Sequence, residues 1–138
     1  MKERIREIAD RYAAQLAAQV DSRVKEMESD DTAHFLIYRV LGIAEEEGSL
    51  IDAYQNKGRF LYRYAGSFLE EVTKLCFKGR FPDSDTIKVP NTHGRRPKQF
   101  EIDIADSHSM LGIEVKWRDA TTDGDHITKE HTRLLAVK

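Results

Sequence analysis

Phe100-Glu-Ile-Asp-Ile-Ala105 and, after a short gap, Leu111-Gly-Ile-Glu-Val-Lys-Trp117 are two alternating runs. Side chains on a strand point to opposite faces in turn. The first run therefore puts Phe100, Ile102 and Ile104 on one face and Glu101 and Asp103 on the other. The second puts Leu111, Ile113, Val115 and Trp117 on one face and Gly112, Glu114 and Lys116 on the other. If the strands pair with their apolar faces on a shared core, Asp103, Glu114 and Lys116 meet on the opposite side. Two carboxylates and an ammonium gathered there suit a divalent cation and a positioned water, which is what phosphodiester hydrolysis requires.

The flanking sequence predicts helices. Residues 2–28 read as one amphipathic helix, since Ile5, Ile8, Tyr12, Leu16, Val20, Val24 and Met27 recur every three or four positions. This stripe suits packing against the core, with a dimer surface as the alternative. Ser29-Asp-Asp-Thr32 supplies an N-cap for a second helix to about Ile43, which Glu45-Glu-Glu-Gly48 would stop, leaving the acidic trio in solvent. A short third helix opens at Ser49-Leu-Ile-Asp52, and Asn56-Lys-Gly58 breaks the chain. Residues 59–78 form the next helix, with Leu61, Tyr64, Ala65, Phe68, Val72, Leu75 and Cys76 on one stripe, and Gly79 ends it. Thr86-Ile-Lys-Val89 reads as a short first strand, and residues 90–97 as a loop with a proline at each end. After the two main strands, residues 127–137 predict a last helix, capped by Asp125. The fold class is α+β: a helical region over residues 1–57, and a core of helix, three strands and helix over residues 58–138, together one compact unit.

Charge is unevenly spread along the 138 residues. The net charge of −2 divides into −4 over residues 1–57, +5 over residues 58–98 and −3 over residues 99–138. A nucleic-acid enzyme needs local positive potential, not a basic whole. The single cysteine, Cys76, cannot form an internal disulfide and reads as a small buried hydrophobe. No apolar run approaches membrane-spanning length, and the opening Met-Lys-Glu-Arg-Ile-Arg-Glu is not a secretory signal. A cytoplasmic protein is the expectation. His34, His108 and His131 share no metal-binding spacing with one another or with Cys76, which argues against zinc.

The motif carried by the two runs resembles that of the PD-(D/E)xK nuclease superfamily. Asp103 matches its aspartate and Glu114-Val115-Lys116 its (D/E)-x-K step, while Ile102 stands where the superfamily usually has proline. A narrower resemblance, to ApaLI-like type II restriction endonucleases, rests on the stretch from Ile113-Glu-Val-Lys-Trp through Asp-His-Ile-Thr-Lys-Glu-His-Thr-Arg133. The resemblance implies a restriction-endonuclease-like core and Mg2+-dependent cleavage of double-stranded DNA at a specific site, with a second copy of the chain as partner. Asp103 and Glu114 would hold the cation together with the Val115 carbonyl, and Lys116 would orient the attacking water or stabilise transition-state charge. Superfamily members often lend a glutamate from the first core helix. Glu71, one turn from Phe68 and Leu75, is the preferred candidate and Glu70 its competitor. The superfamily core continues with a further strand, so the expectation is either the N-terminal portion of a longer protein or a sheet completed by a partner.

Arg95, Arg96 and Lys98, with His93, form the densest basic loop and are candidates for DNA phosphate contacts. Arg118, Thr121, Thr122 and His126 follow the second main strand and could face the groove. Three rival readings accompany these. Lys116 could make a surface salt bridge to Asp103. Residues 119–130 have the spacing of an EF-hand calcium loop, although His126 stands where an apolar residue belongs. The whole chain could also be a non-catalytic DNA-binding or helical interaction module.

Overall fold

The computed structural model describes residues 1–29, 33, 35–94, 96–117 and 124–137, of which residue 35 and residues 124–130 are described by backbone alone. The elements are helices α1 (Lys2–Ser29), α2 (Phe35–Val40) and α3 (Glu45–Lys78), strands β1 (Asp85–Pro90), β2 (Gln99–Asp106) and β3 (Leu111–Ile113), and helix α4 (Gly124–Val137). This is an α+β chain. It divides into two compact units, Lys2–Phe68 and Leu69–Lys138, the latter joined by Met1.

In the first unit α1 runs antiparallel to α3. Tyr12 meets the rings of Tyr64 and Phe68 with centroids 6.3 and 6.2 Å apart. Farther along, Val20, Val24 and Met27 line a small cavity with Ala53, Asn56 and Phe60. The expected α1 stripe is the contact face, but none of its residues is fully buried. The second helix ends at Val40, ahead of Ile43, and residues 30–32, where most of its expected cap falls, lie outside the described residues. It closes on Gly42, whose φ of 81° lies in the left-handed region. The Ile43 amide donates to the Tyr38 carbonyl at 2.9 Å and the Gly42 amide to that of Arg39 at 3.0 Å. That pair of bonds is a Schellman stop, and a residue with a Cβ is strained at its centre.

Glu45, Glu46 and Glu47 begin α3 and do not end α2. Their charges favour the positive end of the helix dipole, and the Glu47 carboxylate accepts the Ala44 amide at 3.2 Å. Nor does Asn56-Lys-Gly58 break the chain, since α3 runs through it for 34 residues. Glycine costs a helix only about 1 kcal/mol, and the neighbours outweigh that. The Asn56 amide donates to the Asp52 carbonyl at 2.9 Å, and Phe60 is buried.

The second unit is a three-stranded antiparallel sheet in the order β1-β2-β3, flanked by the end of α3 and by α4. Alternation on β2 appears as expected: Phe100, Ile102 and Ile104 are buried and Glu101 is exposed. Burial of each such side chain stabilises by roughly 1.5–3 kcal/mol. The register places Lys88 across from Glu101, with their charged ends 3.6 Å apart. Between the pairs Ile87↔Ile102 and Asp85↔Ala105 the register shifts by one, so Asp103 and Ile104 together oppose Thr86. This β-bulge is marked by the Thr86 hydroxyl donating to the Asp103 carbonyl at 2.9 Å. The β2–β3 hairpin turns on Asp106, which is buried and accepts the Ser109 amide at 2.8 Å. Those Ser109 hydrogen bonds hold the Asp106 carboxyl below the usual range. Cys76 proves exposed, at the margin of the α3 stripe. The last helix starts at Gly124, ahead of Asp125, so that residue lies in its first turn and is not its cap.

Two glycines should respond to substitution with opposite signs. A Cβ at Gly58 would meet nothing within 4 Å. Gly58→Ala should therefore stabilise the chain by about 0.5–1 kcal/mol, and Gly42→Ala should destabilise it by about 1 kcal/mol. Urea unfolding followed by circular dichroism measures both.

Candidate active site

Four elements of the second unit meet around one group of acids. The strand β2 carries Asp103, at the bulge. Bulges re-aim side chains, and the Asp103 carboxylate turns to accept the Val115 amide at 2.8 Å. Regular pairing in β3 stops at Ile113, so Glu114, Val115 and Lys116 lie beyond the strand that the alternation assigned to them. The register Ile104↔Ile113, continued by one step, brings Glu114 opposite Asp103. Past the end of the ladder, the bond from the Val115 amide to the Asp103 carboxylate holds this stretch against β2.

Glu114 is the centre of the charge pattern. Lys116 Nζ sits 2.7 Å from Glu114 Oε1, and the Arg133 guanidinium of α4 is ion-paired to the same oxygen. Partial burial pushes the Glu114 carboxyl up, but Lys116 and Arg133 outweigh that and hold it below the ordinary glutamate value. Glu114 Oε2 is buried and has no hydrogen-bond partner among the described residues. Lys116 thus pairs with Glu114, two residues away, and not across the sheet with Asp103.

Of the two candidate helix carboxylates, Glu70 feels the charges of the hairpin acids. Burial first, then the nearby charges of Asp103, Glu114 and Glu101, push its carboxyl up, while Lys74 one turn away pulls it down. Glu71 lies about 100° farther round the helix, where it makes its own contacts. Arg133 had no signal in the strand pattern. Its only mark in the sequence is its place at the end of the ApaLI-like stretch.

The basic loop between β1 and β2 is tied by Asn91, which receives the His93 amide at 3.1 Å and donates to the Pro97 carbonyl at 2.9 Å. Arg96 and Lys98 are exposed on it. Arg95, Arg118, Thr121 and Thr122 lie outside the described residues, and so does the side chain of His126. Residues 124–130 are helical. An EF-hand loop would need residue 124 at its central turn with several non-helical positions after it, so this backbone does not fit one.

Every acid here offers hard oxygen, the donor type that magnesium and calcium prefer. Among the described residues no three acidic, histidine or cysteine side chains stand close enough to enclose a metal by themselves. Two carboxylates do fit an ion that keeps most of its own waters, and the unpartnered Glu114 Oε2 is one oxygen suited to it.

The family of the chain follows from similarity to known proteins. The model of the ApaLI-like restriction endonuclease family matches the chain over residues 1–138, and the chain belongs to that family. No curated protein and no solved structure matches it. Among the described residues no helix is long and apolar enough to cross a membrane.

The raised Glu70 carboxyl gives a pH test. Below the ordinary glutamate value, Glu70 is protonated in folded and unfolded chains alike and costs nothing. As pH rises through that value toward the raised one, the unfolded chain ionises more readily and stability is lost. Glu70→Gln should therefore raise the melting temperature at about pH 7.5 and leave it nearly unchanged at about pH 3. Equal gains at both pH values would trace the effect to packing instead.

Proposed function

We propose that this chain is a type II restriction endonuclease that hydrolyses phosphodiester bonds at a specific site in double-stranded DNA, with Mg2+ as its cofactor. One observation carries the proposal: in a chain of the ApaLI-like family, Asp103 and Glu114 come together at the β2–β3 hairpin with Lys116 held 2.7 Å from Glu114. The proposed core is that of the PD-(D/E)xK nucleases, formed by the end of α3, the three strands and α4.

Asp103 and Glu114 would hold the cation, with the Val115 carbonyl as a further oxygen. A bound divalent ion neutralises phosphate charge and makes water more acidic. Asp103 is preset for this, because the Val115 amide fixes its carboxylate. Lys116, anchored through Glu114, would hold the attacking water or meet the charge that grows on the phosphate. Glu71 or its competitor Glu70 would lend the helix carboxylate, and Glu70 feels the charges of the other acids. Its carboxylate crowds the other acids at a cost, and a cation would relieve that cost. Exposed Arg96 and Lys98, with Arg95, would contact the DNA backbone, and Arg118, Thr121, Thr122 and His126 would approach the groove. A second copy of the chain would provide the two-fold symmetry that a palindromic site matches.

Plasmid cleavage tests the assignment. Asp103→Ala and Glu114→Ala should abolish Mg2+-dependent cleavage while circular dichroism stays unchanged, and wild-type rates in either variant would remove the site. Lys116→Ala should keep its melting temperature and lose about 10²–10³ in single-turnover rate at saturating DNA. Replacing Arg95, Arg96 and Lys98 with serine should weaken binding to all sequences alike. It should also flatten the salt dependence by roughly one unit of slope for each phosphate no longer neutralised. An unmoved slope would leave that loop without a role in binding.

A further inference from the structure

We propose that Arg133 is a positioning residue for the cation site: its guanidinium, ion-paired to Glu114 Oε1, orients the carboxylate so that Oε2, which has no hydrogen-bond partner among the described residues, is presented to the metal. The inference rests on the metal-site reading above and deepens it. Lys116 donates a hydrogen bond to Oε1 and Arg133 is ion-paired to the same oxygen, while Oε2 is buried without a hydrogen-bond partner among the described residues. A carboxylate pulled by two cations through one oxygen is held in orientation, with its other oxygen available.

Of the two cations, Arg133 is the better clamp. Its side chain is 22% exposed, against 50% for Lys116. Its guanidinium carbon lies 5.8 Å from the centre of the Phe100 ring, and Phe100 is buried in the β2 core. The ion pair to Glu114 is thus backed by a buried residue of the sheet. A planar guanidinium also offers a fixed fork of donors, which an ammonium on a flexible stem does not.

Charge alone predicts the opposite effect. A positive guanidinium beside a cation site repels the cation, so removing it would tighten binding if orientation were irrelevant. Groups that orient metal ligands typically change affinity 10–100-fold in the other direction. The sign of the change therefore separates the two roles.

The experiment is a titration of the full chain with Mn2+, without DNA, followed by electron paramagnetic resonance of the free ion. The wild type should bind Mn2+, and Asp103→Asn with Glu114→Gln should abolish that binding. Arg133→Ala should weaken it by about ten-fold or more with circular dichroism retained, and Arg133→Lys should recover part of the loss. Should Arg133→Ala not fold, Arg133→Gln is expected to show the same weakening. Equal or tighter Mn2+ binding in a folded Arg133 variant would overturn the positioning role alone. No binding by the wild type, or binding that survives the loss of both acids, would overturn the metal-site reading beneath it.

Discussion

The bond from the Val115 amide to the Asp103 carboxylate is the constraint on which the site depends. It joins β2 to the chain just past β3, at the point where regular pairing ends. A backbone donor spent on a side chain fixes that carboxylate. Because Val115 lies between Glu114 and Lys116, the same bond locates both of them. The bulge opposite Thr86 lies at the same residue, where Asp103 and Ile104 together oppose one residue of β1.

Around this bond the charges are arranged in local balance. Glu101 faces Lys88 across the sheet, Glu70 has Lys74 one turn away, and Glu114 has both Lys116 and Arg133. The exposed Lys88–Glu101 pair contributes little stability, as surface pairs do. The grouping around Glu114 differs because it is partly buried, and there the cations decide the protonation state: they keep Glu114 ionised against the pull of desolvation. Glu70 has the opposite outcome, since one lysine does not offset burial and three acids. One cluster thus contains a carboxylate held firmly charged and another that resists charge, a polarity that a divalent cation would level.

Local signals and tertiary packing divided the helices between them. The glycine stop at Gly42 and the carboxylates at the start of α3 are local chemistry, yet the sequence alone assigns Glu45–Gly48 as the stop, because Glu45–Glu47 can follow one helix or begin another. The bond from Ala44 to Glu47 resolves it. Asn56-Lys-Gly58 has the composition of a breaker, but a breaker acts only where nothing else holds the helix. Here Phe60 is buried, and α1 lies alongside at Val20, Val24 and Met27.

What the sequence by itself determined was whatever depends on short-range periodicity. The alternation of Phe100, Ile102 and Ile104 defined the buried face of β2, and the spacing of Asp103 from Glu114 and Lys116 placed them at one hairpin. The strand and helix periods fix side-chain direction within an element. Tertiary structure alone decided which groups arrive from elsewhere. Glu70 feels the charges of the hairpin acids, and Arg133 reaches Glu114 from the last helix, because each depends on the rotation and docking of a helix separated from the hairpin by tens of residues. It also decided that β3 would end at Ile113, where an aspartate side chain took the amide that regular pairing would have used.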